Sequence, residues 1–263
     1  MTGDTHEIRF DDGAAYERYM GVWSRLAGTQ FLDWLAPRAN VRWLDVGCGN
    51  GAFTALVAER CHPTNVTGVD PAPAQLDFAR RRTWPCPAGF HAGDAMALPF
   101  DAAVFDVAVM PLVIFFVPDP AAGVREMARV VARGGQVCAY SWDLTGGGFP
   151  YDIAQQTLRD LGVPVPEPPS KHAASLESLP TLWTNAGLVD VRTHVITVAR
   201  TFVSFDDYWT TLQGGPSLQR PLSTLSAEGR QAFETRLRAA LPIDDDGRIT
   251  YSARANAICG RVA

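Results

Sequence analysis

Trp43-Leu44-Asp45-Val46-Gly47-Cys48-Gly49-Asn50-Gly51 runs an apolar stretch into a glycine cluster, and Ala52 to Arg60 beyond it carries helical spacing. A short apolar run stopped by glycines reads as a buried strand. Glycines at a strand-to-helix turn let the backbone approach a ligand closely, and the helix N-terminus adds unpaired N–H groups and a positive dipole end. Three acids accompany the loop. Asp45 sits two residues before the first glycine, Asp70 closes the next apolar run and Asp94 follows the third. Acids at three successive strand ends would line the carboxyl edge of a sheet, where open α/β sheets bind their ligands.

The pattern continues outward from that loop. Val41 to Val46 and Asn65 to Val69 read as strands, with helices over Ala52 to Arg60 and Ala74 to Arg82. A strand around Phe90 and a stronger one over Val104 to Met110 follow. Asp119-Pro120 has the form of an N-cap with proline at the first helical position. The helix it opens is expected to reach Arg133 and stop at Gly134-Gly135, ahead of a strand over Gln136 to Trp142. Strands alternating with helices imply a largely parallel sheet with helices on both faces. Upstream, Ala14 to Leu35 spaces its aromatic residues as one helix or two short ones.

Beyond Trp142 the texture changes. Asp143 to Ala174 is rich in glycine and proline, with one helical stretch at Tyr151 to Leu161. A helix ends at Gly187, and Leu188 to Phe202 alternates as a strand does. Ser204-x-x-Asp207 resembles a capping box that opens a helix through Trp209. Glu228 to Leu241 reads as a helix and Arg248 to Val262 as a closing strand.

Composition narrows the functional classes. The chain has 263 residues, 47% hydrophobic and 19% charged, with a net charge of −5. That is globular composition, and no basic run exceeds Arg80 to Arg82, which leaves a nucleic-acid surface without support. Five cysteines without CxxC spacing suit a reducing compartment and argue against a zinc site. The longest apolar stretch, Val107 to Val117, is too short to span a bilayer. The first residues are polar and acidic, unlike a signal peptide. A soluble cytoplasmic protein is expected, without membrane, nucleic acid or metal. The oligomeric state is not legible.

Asp45-x-Gly47-x-Gly49-x-Gly51, Val69-Asp70-Pro71, Gly93-Asp94-Ala95 and Leu98-Pro99-Phe100 together resemble the successive motifs of class I S-adenosylmethionine-dependent methyltransferases, in particular the small-molecule type 11-like branch. Phe105-Asp106-Val107, Val117-Pro118-Asp119-Pro120 and Arg133-Gly134-Gly135 extend the likeness to about residue 142. The resemblance implies a Rossmann-like α/β fold with a seven-stranded, mostly parallel sheet, its last strand antiparallel, helices on both faces and helical cap insertions. Without an internal repeat or low-complexity tract, a single domain over 1–263 is expected: an N-terminal helical lid at 1–36, a cofactor-binding half at 37–142, caps at 143–175 and 204–247, and the last two strands at 188–202 and 248–262. S-adenosyl-L-methionine is the implied cofactor.

The implied roles follow the motifs. Gly47, Cys48, Gly49 and Gly51 would cradle the amino-acid end of the cofactor, with Asp45 supporting its ammonium. Asp70 would bind the ribose, Pro71 and Ala72 would face the adenine, and Asp94, Ala95 and Met96 would hold the adenine amine. Met110 and Leu112 would border the sulfonium. Tyr19 would close over the cofactor, and Arg25 would pair with its carboxylate, as a planar guanidinium suits.

The acceptor side is thinner. Trp23, Phe115, Phe116, Trp142, His172 and Trp209 could line an apolar or aromatic pocket, although aromatic side chains equally fill cores. Asp143, just after a strand, is the best-placed carboxylate for a base. Some relatives have a histidine pair where this chain has Ile114-Phe115-Phe116-Val117, so histidine-assisted O-methylation from that position loses support. Two alternatives stay open. Gly47-x-Gly49-x-x-Ala52 also fits the relaxed dinucleotide fingerprint of a nicotinamide-dependent oxidoreductase. A non-catalytic cofactor-binding sensor module fits intact cofactor motifs without a legible base.

Overall fold

The structure, a computed structural model, describes residues 17–263. It contains a seven-stranded sheet ordered β3-β2-β1-β4-β5-β7-β6. The strands are β1 (Arg42–Val46), β2 (Asn65–Asp70), β3 (Ala88–Ala92), β4 (Phe105–Pro111), β5 (Val131–Trp142), β6 (Leu188–Phe202) and β7 (Ile249–Val262). β1 pairs in parallel with β2 and β4, β2 with β3 and β4 with β5, whereas β5 and β7 are antiparallel. The strand order reverses direction between β1 and β4, which places a topological switch point beside the glycine loop.

β1 is buried on both faces, as a central parallel strand should be: Trp43, Leu44, Asp45 and Val46 are all buried. Asp45 is the one charged residue in that run. Helices α1 (Val22–Leu35), α2 (Ala52–Arg60), α3 (Pro73–Arg81) and α4 (Pro120–Val130) accompany these strands. A π-helical turn, Glu17–Gly21, precedes α1, and residues 14–16 of the expected first helix lie outside the described residues. Asp119 caps α4 by accepting from Ala122 N at 3.0 Å, as its sequence position predicts.

α4 ends earlier than its sequence suggests. The chain turns extended at Val131, and Arg133-Gly134-Gly135 belongs to β5 rather than to the helix. Consecutive β-branched valines favour the sheet over another helical turn. The surplus residues are absorbed where the register with β4 shifts between Phe105 and Val107, and Gly134 takes φ +79°.

The described chain divides into two compact units. The larger comprises Ser24–Gly147, Pro168–Ile196 and Arg254–Ala263. It holds β1–β5, most of β6 and β7, and α6 (Ser178–Asn185), which ends as expected before Gly187 at φ +81°. The smaller comprises the described residues through Trp23, Gly148–Glu167 and Thr197–Ala253. It holds α5 (Asp152–Asp160), α7 (Phe205–Gln213), α8 (Pro216–Ser223) and α9 (Ala227–Ala240). The expected cap forms in a shifted version: Ser204 Oγ accepts from Asp207 N at 3.2 Å, and the Asp207 carboxylate reaches back one residue beyond the N-cap to accept from Val203 N at 3.1 Å. α8 was not legible, because Pro221 interrupts its pattern. Of the expected cap insertions at 143–175 and 204–247, residues 148–167 and 204–247 fall in the smaller unit, and 143–147 and 168–175 in the larger.

Candidate functional site

The glycine loop leaves β1 and enters α2 through three left-handed residues, Gly47 (φ +75°), Gly49 (φ +52°) and Gly51 (φ +79°). Left-handed backbone is cheap only for glycine, which explains their alternate spacing. Gly47 N and Cys48 N both donate to Val69 O, at 2.8 and 3.1 Å, tying the loop to β2. A β-carbon on Gly47 would lie 2.5 Å from Val113 Cγ2, so the segment after β4 closes against that glycine. One on Gly49 would meet nothing nearer than Gln75 Oε1 at 3.9 Å. The face of Gly49 is therefore open space next to backbone.

Asp70 anchors the same loop from the end of β2. One carboxylate oxygen accepts from Gly49 N at 2.9 Å and the other from Ala72 N at 2.8 Å. Burial pushes its pKa up, and the two amides pull it partly back. A carboxylate has about four acceptor sites, so two amides leave capacity for a pair of hydroxyl donors. Asp94 follows β3, where its Oδ1 accepts from Met96 N at 2.8 Å and its side chain is exposed. Pro71 is exposed beside Asp70, and Ala95 is half-buried beside Asp94.

Asp45 is the electrostatic oddity of the site. It is 3% exposed, and its Oδ2 accepts from Thr54 Oγ1 at 2.6 Å. Its Oδ1 is buried without a hydrogen-bond partner among the described residues. Burial raises its pKa to about 7, opposed by the Thr54 hydrogen bond and reinforced by the charge of Asp70. A buried acceptor without a donor is costly, and such sites call for a missing cationic or N–H group. Thr54, Gln75, Val113 and Arg82, which donates to Asn50 O at 2.8 Å, all shape the loop and were missed in the sequence. Thr54 alone had a legible signal, as a hydroxyl on the buried face of an apolar helix.

Several expected site residues sit elsewhere. Arg25 pairs with Glu59 at 3.7 Å and is largely exposed. Glu59 lies seven residues into α2, about 10 Å along the helix from the glycine loop. Cys48 contributes only backbone: its side chain packs with Leu76, Ala79 and Phe90, and burial followed by the charges of Asp45 and Asp70 pushes its thiol well up. Met110 is fully buried, with its methyl 3.5 Å from where a Gly123 β-carbon would stand on α4. Asp143 is not a free base. Its Oδ2 accepts from Arg254 Nε at 2.9 Å and Nη2 at 2.6 Å, while Oδ1 accepts from Gly146 N at 3.0 Å.

Other residues gather past β4. Leu112 adopts φ +59°, a strained conformation for a branched side chain, and its N–H donates to Tyr140 O at 2.7 Å. Phe115 is buried and Phe116 is 39% exposed, with ring centroids 4.5 Å apart. Ser170 N donates to Phe115 O at 3.0 Å, which brings the short helix Lys171–Ala174, with an exposed His172, to this segment. Trp142 is buried, its indole N–H unpartnered among the described residues. In the smaller unit Tyr19 stacks on Tyr151 at 4.2 Å, and Trp23 Nε1 donates to Tyr151 Oη at 3.2 Å. Both side chains are core there, as is Phe233 beside Trp209 at 5.8 Å.

Residues 44–139 match the family model described as a methyltransferase domain. Residues 44–139 are a methyltransferase domain. The chain is 39% identical over 98 residues to 2-methyl-6-phytyl-1,4-hydroquinone methyltransferase 2 of Oryza sativa subsp. japonica, a stretch covering 37% of this chain and 28% of that protein. A 27-O-demethylrifamycin SV methyltransferase of Amycolatopsis mediterranei is 29% identical over 163 residues, 60% of this chain and 58% of the relative. The chain thus spans less than two thirds of the length of either. Among solved structures, a SAM-dependent methyltransferase of Thermotoga maritima superposes with a TM-score of 0.55 at 20% identity, covering 95% of both chains. At that identity the likeness extends the fold beyond the methyltransferase domain to the later strands. Among the described residues, no helix is long and apolar enough to cross a membrane.

Proposed function

We propose that this protein transfers the methyl group of S-adenosylmethionine to a small-molecule acceptor of apolar or aromatic character. The observation that carries the reading is the buried, unpartnered Oδ1 of Asp45 behind a loop whose Gly49 face is open. That pairing fits the ammonium end of an amino-acid cofactor and has no evident use for a pyrophosphate, which would add negative charge beside two acids. Gly47, Gly49 and Gly51 would hold the amino-acid end, Asp70 the ribose hydroxyls, and Asp94 with the Ala95 and Met96 backbone the adenine amine.

Bound there, the cofactor supplies a methyl group already activated on a sulfonium sulfur. The protein's work is then orientation and exclusion of water. An in-line approach needs the acceptor atom held within about 3–3.5 Å of the methyl carbon, with the site dry. Leu112, fixed in its strained conformation, and Phe115 with Phe116 would form the apolar wall, with the Lys171–Ala174 turn and His172 beside it. Asp143, held by Arg254, is left out of the chemistry. No base is assigned, because one is needed only for an acceptor that must lose a proton near the transition state. Five cysteines without disulfides support a cytoplasmic setting.

The test is a methyl-transfer screen with labelled S-adenosylmethionine over aromatic and apolar small molecules and over cell extract. Label transferred to a small apolar product is the expected result. Tight binding of the cofactor product without transfer to any acceptor class would overturn the catalytic reading in favour of a sensor.

A further inference from the structure

Two of the five cysteines face each other across the sheet, away from the glycine loop. In the antiparallel register of β5 with β7, Cys138 stands opposite Cys259. Asp143 N donates to Arg254 O at 2.9 Å, so that opposed pair is hydrogen-bonded and the pairs alternate from there. Cys138 and Cys259, five positions along, fall on a non-hydrogen-bonded pair. At such pairs the Cα atoms stand about 4.5 Å apart and the side chains approach most closely. That lies within the roughly 4.4–6.8 Å that a disulfide spans. The sulfurs are already 3.2 Å apart, with the Cys138 thiol donating to Cys259 Sγ.

The two sulfurs differ in surroundings. Cys138 is fully buried, and burial holds its thiol protonated. Cys259 lines a cavity of about 590 Å³ at the amino edge of the sheet, opposite the end that carries the glycine loop. Arg38, Arg133 and Arg192 border that cavity, together with Asp106 and Asp190, whose carboxylates pair with Arg42 and Arg261. Hydrogen bonding from Cys138 lowers the Cys259 pKa against its burial, and Arg192 adds to the effect. Arg192 is itself held over the Trp34 ring at 4.3 Å.

We propose that Cys259 and Cys138 form a peroxide-oxidisable dithiol, in which Cys259 is the attacking sulfur and Cys138 the resolving one. The oxidant is a hydroperoxide small enough to enter the cavity. Cys259 thiolate attacks one peroxide oxygen, the S–O bond forms as the O–O bond breaks, and the departing oxygen leaves as water or an alcohol after taking a proton. Cys138 then loses its proton and attacks the sulfur of the sulfenic acid. The S–S bond forms, the S–O bond breaks, and the hydroxide leaves with that proton as water. Two thiols are oxidised by two electrons and one peroxide is reduced.

The experiment treats the reduced full-length chain with equimolar hydrogen peroxide, then counts thiols under denaturing conditions and maps peptides by mass. Expected are a fall from the five thiols to three, a mass lower by two hydrogens, and a peptide joining Cys138 to Cys259. The thermal midpoint should rise by at least about 5 °C, because the cross-link closes a long loop in the unfolded chain. In Cys138→Ser, a 1,3-dione probe should label position 259. Where that variant does not fold, the wild-type peptide map decides alone. Oxidation confined to Cys86, a link between two chains, or five intact thiols would each overturn the proposal.

Discussion

Lowering the pH from 8 to 6 should weaken binding of S-adenosylhomocysteine by about tenfold through Asp45 alone. The carboxyl is enclosed and its pKa is raised to about 7 chiefly by burial. Its ionised fraction without ligand therefore falls from about nine tenths to about one tenth across that range. A ligand ammonium beside the unpartnered Oδ1 selects the ionised form, so binding below pH 7 must expel the Asp45 proton. The sign for the free protein is opposite to that of an ion-paired acid. The folded-state pKa lies above the ordinary 3.8, so the contribution of Asp45 to the stability of the free protein is full below pH 4 and is lost as the pH rises to about 7. The interval corresponds to roughly 4 kcal/mol at most. Calorimetry in two buffers of different ionisation enthalpy reads proton release directly. Release approaching one proton at pH 6 is expected, vanishing in Asp45→Asn. Equal affinity at both pH values without release, or the same slope in Asp45→Asn, would refute the reasoning.

Four further substitutions separate binding from folding. Asp70→Ala should weaken S-adenosylhomocysteine by at least ~1.5 kcal/mol while leaving the chain folded, since it removes a charged acceptor; unchanged affinity would remove Asp70 from the site. Gly49→Ala should cost only about 1–2 kcal/mol of stability, from its left-handed backbone, yet lower affinity more than tenfold as its β-carbon enters the open face. Gly47→Ala should instead cost about 3 kcal/mol in denaturant titrations, because its β-carbon also strikes Val113. Arg254→Ala should destabilise by about 2 kcal/mol, leaving the mostly buried Asp143 uncompensated, with methyl transfer retained in the folded fraction. Loss of transfer in a stable Arg254→Ala protein would return Asp143 to the chemistry.

The parts of the fold set by local chemistry were legible in the chain. The strand ending at Val46, the glycine alternation, the Asp119 and Ser204 caps and the strand from Leu188 to Phe202 all follow from burial period, left-handed backbone and orphan amides. So did the acids at the strand ends, because an acid inside an apolar run needs a reason. Long-range partners were not legible. Nothing in the spacing places Arg254 on Asp143, 111 residues away, or Arg25 on Glu59. Cys48 lies in the glycine motif and Met110 near the end of β4, yet both turn their side chains to the core, since a place along the chain fixes backbone position and not side-chain direction. Helix α8 was hidden by Pro221, and the end of α4 by glycines that serve the strand instead.

The most direct measurement is a calorimetric titration of the reduced full-length chain, first with S-adenosylhomocysteine and then, on fresh protein, with NADH. Saturable binding of one S-adenosylhomocysteine per chain, weakened by Asp70→Ala, with no saturable heat from NADH, is the expected result. Saturable NADH binding that responds to the Gly49→Ala and Asp70→Ala substitutions, with no binding of S-adenosylhomocysteine, would contradict it.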